Sequence, residues 1–218
     1  MFPHSNGLIS QLSEPDQALL IRSARLAELK AGDLLTAQQP ELPAIYFLGS
    51  GSVALFVGTP MNAAHTGLAV GLIGRTGAVN LQAAMGLGIG NITPMVQSAG
   101  FAYVIESVKL QGLMKRRPHW RLVFSNALWR NYQDIARLAA LSHTQDIKIR
   151  LANWLLMSMA CCQPEPLRMT HEHMAQMLGV RRASITLAAK EMKNLGLIDY
   201  RRGHIQFLNA LALTHMAS

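Results

Sequence analysis

The sequence is poor in cysteine, in acidic side chains and in long hydrophobic runs. Its only cysteines, Cys161 and Cys162, are adjacent. Neighbours on one backbone rarely close an unstrained disulfide, and two thiols with no Cys or His at ligand spacing fall short of a zinc or iron–sulfur set. The pair therefore reads as packing or linker cysteines, with redox sensing as the alternative. Eight histidines are scattered without paired carboxylates or a nucleophile beside a base, so no enzyme and no cofactor is expected. His171 and His173 sit two residues apart on a predicted helix, which turns their rings to different faces and argues against a metal site. The glycine-rich stretch Ala83 to Gly90, AAMGLGIG, lacks the lysine of a phosphate loop and is expected to be a loop or short helical turn. No apolar run is long enough to span a bilayer, and the opening MFPHSNGLIS lacks the regions of a secretion signal. A cytoplasmic protein with no membrane partner is the expectation.

Apolar residues make up 50% of the chain, enough for substantial cores in 218 residues. The net charge of +8 is unevenly spread: five Lys or Arg face six acids in residues 1–110, six face one in 111–145, and nine face five in 146–218. The first half is neutral and the rest is basic, as phosphate binding by the later part requires.

Ser13 ahead of Glu14, Pro15 and Asp16 starts a short helix to about Arg25. From there to about Glu106, short apolar stretches alternate with glycine turns, which predicts strands closing into a sandwich or β-roll. Ser50-Gly51 and Ser98-Ala99-Gly100 are expected to be hairpin turns. A short helix over Ser107 to about Arg116 precedes a long one that Pro118 opens and that runs to about Ser142. Leu122, Leu128, Ile135, Leu138 and Leu141 form an apolar seam along it at near-heptad spacing, with Trp129 and Tyr132 beside it. Its partner is the same helix of a second subunit, or else the chain's own β-roll.

Asp146 to Met159 is the next helix, and Gln163-Pro164-Glu165-Pro166 a turn. Residues Thr170 to Gln206 then read as helix, tight turn, helix and basic hairpin. Thr170 caps a helix carrying Met174, Ala175 and Leu178 inward, Gly179 makes the turn, and Val180 fills the angle. The second helix, about Arg181 to Asn194, buries Ile185, Ala188, Ala189 and Met192, leaving Arg182, Ala183, Thr186, Leu187 and Lys190 outward. Two strands flank Arg202-Gly203 and place Arg201 and Arg202 on a wing. This winged helix-turn-helix fits a DNA major groove.

The phrases LANWLLMSMA, RMTHEH, AQMLGVRRASIT and GLIDYRRGHIQFL, with GLIGRTGAV at Gly71 to Val79, resemble the Crp-Fnr superfamily of bacterial transcription regulators. The resemblance is strongest over Leu151 to Leu208 and weaker over most of the remaining chain. It implies an α+β fold: a β-roll like a cyclic-nucleotide-binding domain over 1–117, a dimerisation helix over 118–145, and a winged helix-turn-helix over 146–218. It also implies a homodimeric regulator of double-stranded DNA, with RNA polymerase as a candidate partner and a small-molecule effector on the roll. The stretch VNLQAAMGLGIGNITPMVQ has neither the arginine nor the glutamate with which relatives grip a cyclic phosphate and ribose, so cyclic AMP binding by that chemistry is not expected. In the recognition helix Arg182 keeps the guanine-reading position, while Ala183 and Leu187 replace a glutamate and a second arginine. Leu187 then suits a thymine methyl group, and Ser184 or Thr186 a phosphate or base edge. Thr170 and His171 correspond to phosphate contacts. The missing glutamate and Leu187 also motivate the alternative, a sensor or scaffold whose helix-turn-helix no longer binds DNA.

Overall fold

A computed structural model describes residues 6–35, 43–58, 67–88, 90–162, 167–201 and 203–217. The expected turn at Gln163 to Pro166 and the wing residue Arg202 lie outside these residues.

Helix α1 (Glu14–Ser23) leads into seven strands: β1 (Arg25–Leu29), β2 (Ala44–Leu48), β3 (Ser52–Val57), β4 (Leu68–Ile73), β5 (Ala78–Val79), β6 (Ile92–Ser98) and β7 (Gly100–Glu106). They form two antiparallel sheets, ordered β1-β7-β2-β5 and β4-β3-β6. Leu29, Leu48, Val53, Leu55, Ile73, Val79, Val96 and Val104 fill the space between them. This is the expected roll, with one correction. Ser50-Gly51 and Ser98 to Gly100 turn the chain, but neither closes a hairpin, because β2 and β3, like β6 and β7, belong to different sheets. The two turns lie side by side, with the Gly49 amide donating to the Phe101 carbonyl at 2.9 Å.

Side-chain alternation gives each sheet a second buried face. From the first sheet, Ile45, Phe47, Tyr103 and Ile105 pack with Leu20, Leu110, Trp120 and Phe124. The helices involved are α1, α2 (Ser107–Arg116) and the start of α3 (Trp120–Thr144). Asp16 pins this layer, its buried carboxylate meeting Arg117 Nε at 3.0 Å and His119 Nε2 at 2.7 Å. Burial pushes this carboxyl up, but His119, the Trp120 indole and Ser13 outweigh it and hold the pKa at about 2. A carboxyl lowered by folding stabilises fully above the ordinary aspartate range and loses that contribution as pH falls towards 2. The melting temperature should therefore drop between about pH 4 and 2, and Asp16→Asn should flatten that drop. An unchanged acid profile in the variant would contradict this role.

From the second sheet, Ala54, Phe56, Ala69 and Met95 point outward into one apolar core with Leu151, Trp154 and Leu155 of helix α4 (Ile147–Cys162). Gln97 crosses this boundary: the Trp154 indole donates to its Oε1 at 3.1 Å, and its Nε2 donates to Ser158 Oγ at 3.1 Å and Ser52 Oγ at 3.3 Å. All four side chains are buried. Further along α4, Cys161 sits so close to Gly74 that a Cβ there would lie 2.5 Å from its Sγ. The roll and the C-terminal part therefore share one interior.

Helix α3 lies along β4, with Ile135 packed at Gly71. This corrects the expectation of a single dimer seam. Leu128 packs with the layer around Trp120, Ile135 with the roll interior, and Leu138 with the core around Trp154. Leu141 is half-buried beside Leu68 and Leu178. Only Leu122 of the five stays on the open face, where it is followed by Ser125, Trp129, Tyr132, Ala136 and Ala139. Among the described residues, no helix is long and apolar enough to cross a membrane.

Candidate nucleic-acid interface

The C-terminal part is built from α4, β8 (Leu167–Arg168), α5 (His171–Leu178), α6 (Arg182–Asn194), β9 (Ile198–Arg201), β10 (His204–Phe207) and α7 (Ala210–Met216). Thr170 begins α5 as expected: its Oγ1 accepts the His173 amide at 3.1 Å, filling one of the four donors a helix start leaves unpaired. At the other end, Gly179 adopts φ 62°, a left-handed conformation that a side chain would strain. Arg150 of α4 donates to the free Leu178 carbonyl at 2.5 Å, placing a cation at the negative end of the α5 dipole. Sequence spacing gave no hint of this contact. Val180 packs against the core in the angle between the two helices.

Arg181 is the N-cap of α6, in extended backbone. Ile185, Ala188, Ala189 and Met192 face inward, and Arg182, Ala183, Thr186, Leu187 and Lys190 line one shallow, open depression. Ser184 is half-buried at its edge. The helix closes with paired bonds, Leu197 amide to Met192 carbonyl and Gly196 amide to Lys193 carbonyl, both 3.0 Å. That closure sends Leu197 and Ile198 into the core and starts the wing.

Strand β10 pairs with both β8 and β9, which fixes the wing, and Arg201 stands opposite His204 at its tip. Asp199 joins wing to helix through Lys193 at 2.7 Å and Arg201 at 3.0 Å. The Lys193 hydrogen bond is the main reason its carboxyl is held below the usual range against the opposing effect of burial. Lys148 meets Glu191 at 2.9 Å, tying α4 to α6. His171 stacks on Tyr200 with ring centroids 4.3 Å apart, and its Nδ1 lies 3.0 Å from Thr186 Oγ1. The structure thus gathers the expected residues of α5, α6 and β9 on one basic surface of a shared scaffold.

Residues 149–216 match the family model of the Crp-like helix-turn-helix domain. The whole fold is similar to that of a transcriptional regulator of the Crp/Fnr family from Eubacterium rectale, with TM-score 0.68 at 18% identity over 99% of this chain and 98% of that one. Residues 149–216 thus form a Crp-like helix-turn-helix domain, in a chain whose fold is similar to that of Crp/Fnr regulators. A Crp/Fnr regulator from Thermus thermophilus is also similar, with TM-score 0.67 at 21% identity over 88% of this chain and 98% of that one. So is the c-di-GMP-responsive global regulator CLP from Xanthomonas campestris, with TM-score 0.64 at 15% identity over 87% and 96%. No curated protein sequence matches the chain. The shared fold covers both halves: a roll of two sheets, and a Crp-like helix-turn-helix domain packed on its second sheet.

Proposed function

We propose that the chain is a homodimeric, sequence-specific DNA-binding transcription regulator. The carrying observation is the open face of α6, where Arg182, Ala183, Thr186, Leu187 and Lys190 project from a helix that Glu191 ties to α4 and Lys193 ties to the wing. Arg182 reads a guanine through O6 and N7, Leu187 meets a thymine methyl group, and Arg181, Ser184, Lys190 and the wing arginines Arg201 and Arg202 serve phosphates or base edges. Thr170 and His171 shape the α5 end of the same surface. The division into roll (1–117), long helix (118–145) and reading domain (146–218) follows this assignment of roles.

Dimerisation is assigned to the open face of α3. Leu122, Ser125, Trp129, Tyr132, Ala136 and Ala139 recur at alternating steps of three and four residues, the period of a two-stranded coiled coil, and all are exposed. Trp129 and Tyr132 stack on each other at 5.3 Å with more than half of each exposed to solvent, a costly arrangement for a surface that stays uncovered. Two such chains present two recognition helices about one duplex turn apart to a near-palindromic site. The roll interior is lined by aliphatic side chains, and Asn80 beside the short helical turn at Leu81–Met85 is committed to the Ala44 carbonyl at 3.1 Å. The effector of the roll is unidentified and is not gripped through a cyclic phosphate by the usual chemistry; RNA polymerase is the further partner expected of such a regulator.

The test is Arg182→Ala on a bound duplex. The expected result is a loss of about 1–3 kcal/mol with relaxed preference at a single guanine position. Equal weakening on all sequences would make Arg182 a phosphate contact and remove its reading role. Unchanged binding would favour the alternative scaffold reading, which Leu187 on the open face motivates.

A further inference from the structure

His171 lies between the two parts of the interface that would meet DNA. Its ring stacks on Tyr200 of the wing, tilted by 21°, and its Nδ1 approaches Thr186 Oγ1 of the recognition helix. The same hydroxyl donates to the Arg182 carbonyl at 3.1 Å. A threonine hydroxyl has one proton. With that proton on the carbonyl, the contact with His171 takes its proton from the imidazole, which places a proton on Nδ1. Nε2 is buried and without a hydrogen-bond partner.

A second proton at Nε2 would create a buried N–H with no acceptor. Facing the ring are Arg182 from α6, which is cationic, and Tyr200 from β9; its own helix adds Glu172 and His173 as neighbours in sequence. Burial first, then the Arg182 charge, pushes the imidazole below its ordinary range. A ring kept neutral in this way neutralises no phosphate.

We infer that His171 is a positioning residue that locks the wing to the recognition helix, so that Arg201 and Arg182 meet a duplex as one rigid unit. This rests on the DNA-binding reading above and changes one role within it: the phosphate contact implied by the family resemblance becomes a brace. The stack holds the wing strand, the Thr186 bond holds the helix, and one side chain carries both.

The test has one arm without DNA and one with it. In the free protein, long-range nitrogen-15 spectra of the imidazole should show a neutral ring protonated at Nδ1 at pH 7. Amide exchange at Tyr200 and Arg201 should quicken in His171→Ala and return towards wild type in His171→Phe, which keeps the stack. An imidazolium, a ring protonated at Nε2, or exchange unaffected by His171→Ala would overturn the inference.

On duplex, His171→Ala should weaken binding roughly tenfold, and Arg201→Ala should cost much less in that background than in wild type, since coupled positions depart from additivity. Additive losses, with the salt dependence of binding reduced by about one phosphate in His171→Ala, would make it a direct phosphate contact instead. If the wild-type protein binds no duplex, the DNA-binding reading fails, and the DNA-free arm still decides whether His171 braces the wing.

Discussion

Trp154→Ala is expected to destabilise the whole chain by about 3–5 kcal/mol, the range for deleting a buried aromatic side chain. Trp154 is 1% exposed and stands where the outer face of the second sheet meets α4. Its removal empties the centre of the shared interior, and it takes away the donor to Gln97 Oε1, leaving a buried acceptor unpaired. Trp154→Phe should fall between the two, keeping most of the apolar volume while losing the bond. The same packing makes a second statement about cooperativity. Because Phe56, Ala69 and Met95 of the roll are buried by the reading domain, both parts should melt in one transition followed by calorimetry. A loss under about 1 kcal/mol, or separate transitions for roll and reading domain in the wild type, would contradict the shared core.

The second large effect is expected at the open face of α3. Leu122 is 67%, Trp129 58% and Tyr132 60% exposed, so replacing Leu122 and Trp129 with glutamate disturbs little within one chain. Placed against the same residues of a second chain, four carboxylates would meet at the seam and be desolvated or repel one another. The double variant should therefore be a monomer of unchanged fold, whereas the wild type should sediment as a dimer. Affinity for a two-half-site duplex should fall by about 10²–10⁴, because binding the second half-site is no longer intramolecular. A double variant that remains dimeric would move the interface elsewhere. Glutamate at Leu128 or Ile135 should act differently, through the fold itself, since both pack on their own chain.

The reading domain was the most legible part because its signals are local. A cap at Thr170, a turn at Gly179 and inward residues at helical spacing all lie within a few residues of what they determine. The roll was legible as strands and turns but not as a topology. β3 reads SVALFV, apolar after its first residue, because Val53 and Leu55 face the roll interior while Ala54 and Phe56 face the reading domain. A strand buried on both sides has no alternation to show which neighbour it pairs with. The seam of α3 was displaced for a related reason. Choosing the leucines and isoleucine selects residues used by the chain's own core, while the open face carries two aromatics among small residues. Gln97 and Trp154 are 57 positions apart, and His171 meets Tyr200 only after the wing has folded back. No spacing rule links such pairs.

The most direct test of the account is selection of bound duplexes from a random pool by the wild-type protein, with the half-site spacing read from the enriched sequences. A dimer of two open recognition helices predicts an inverted repeat with centres about 10 base pairs apart, a guanine in each half-site, and binding that weakens steeply with salt. No enriched sequence, or a single unrepeated site bound by one chain, would contradict it.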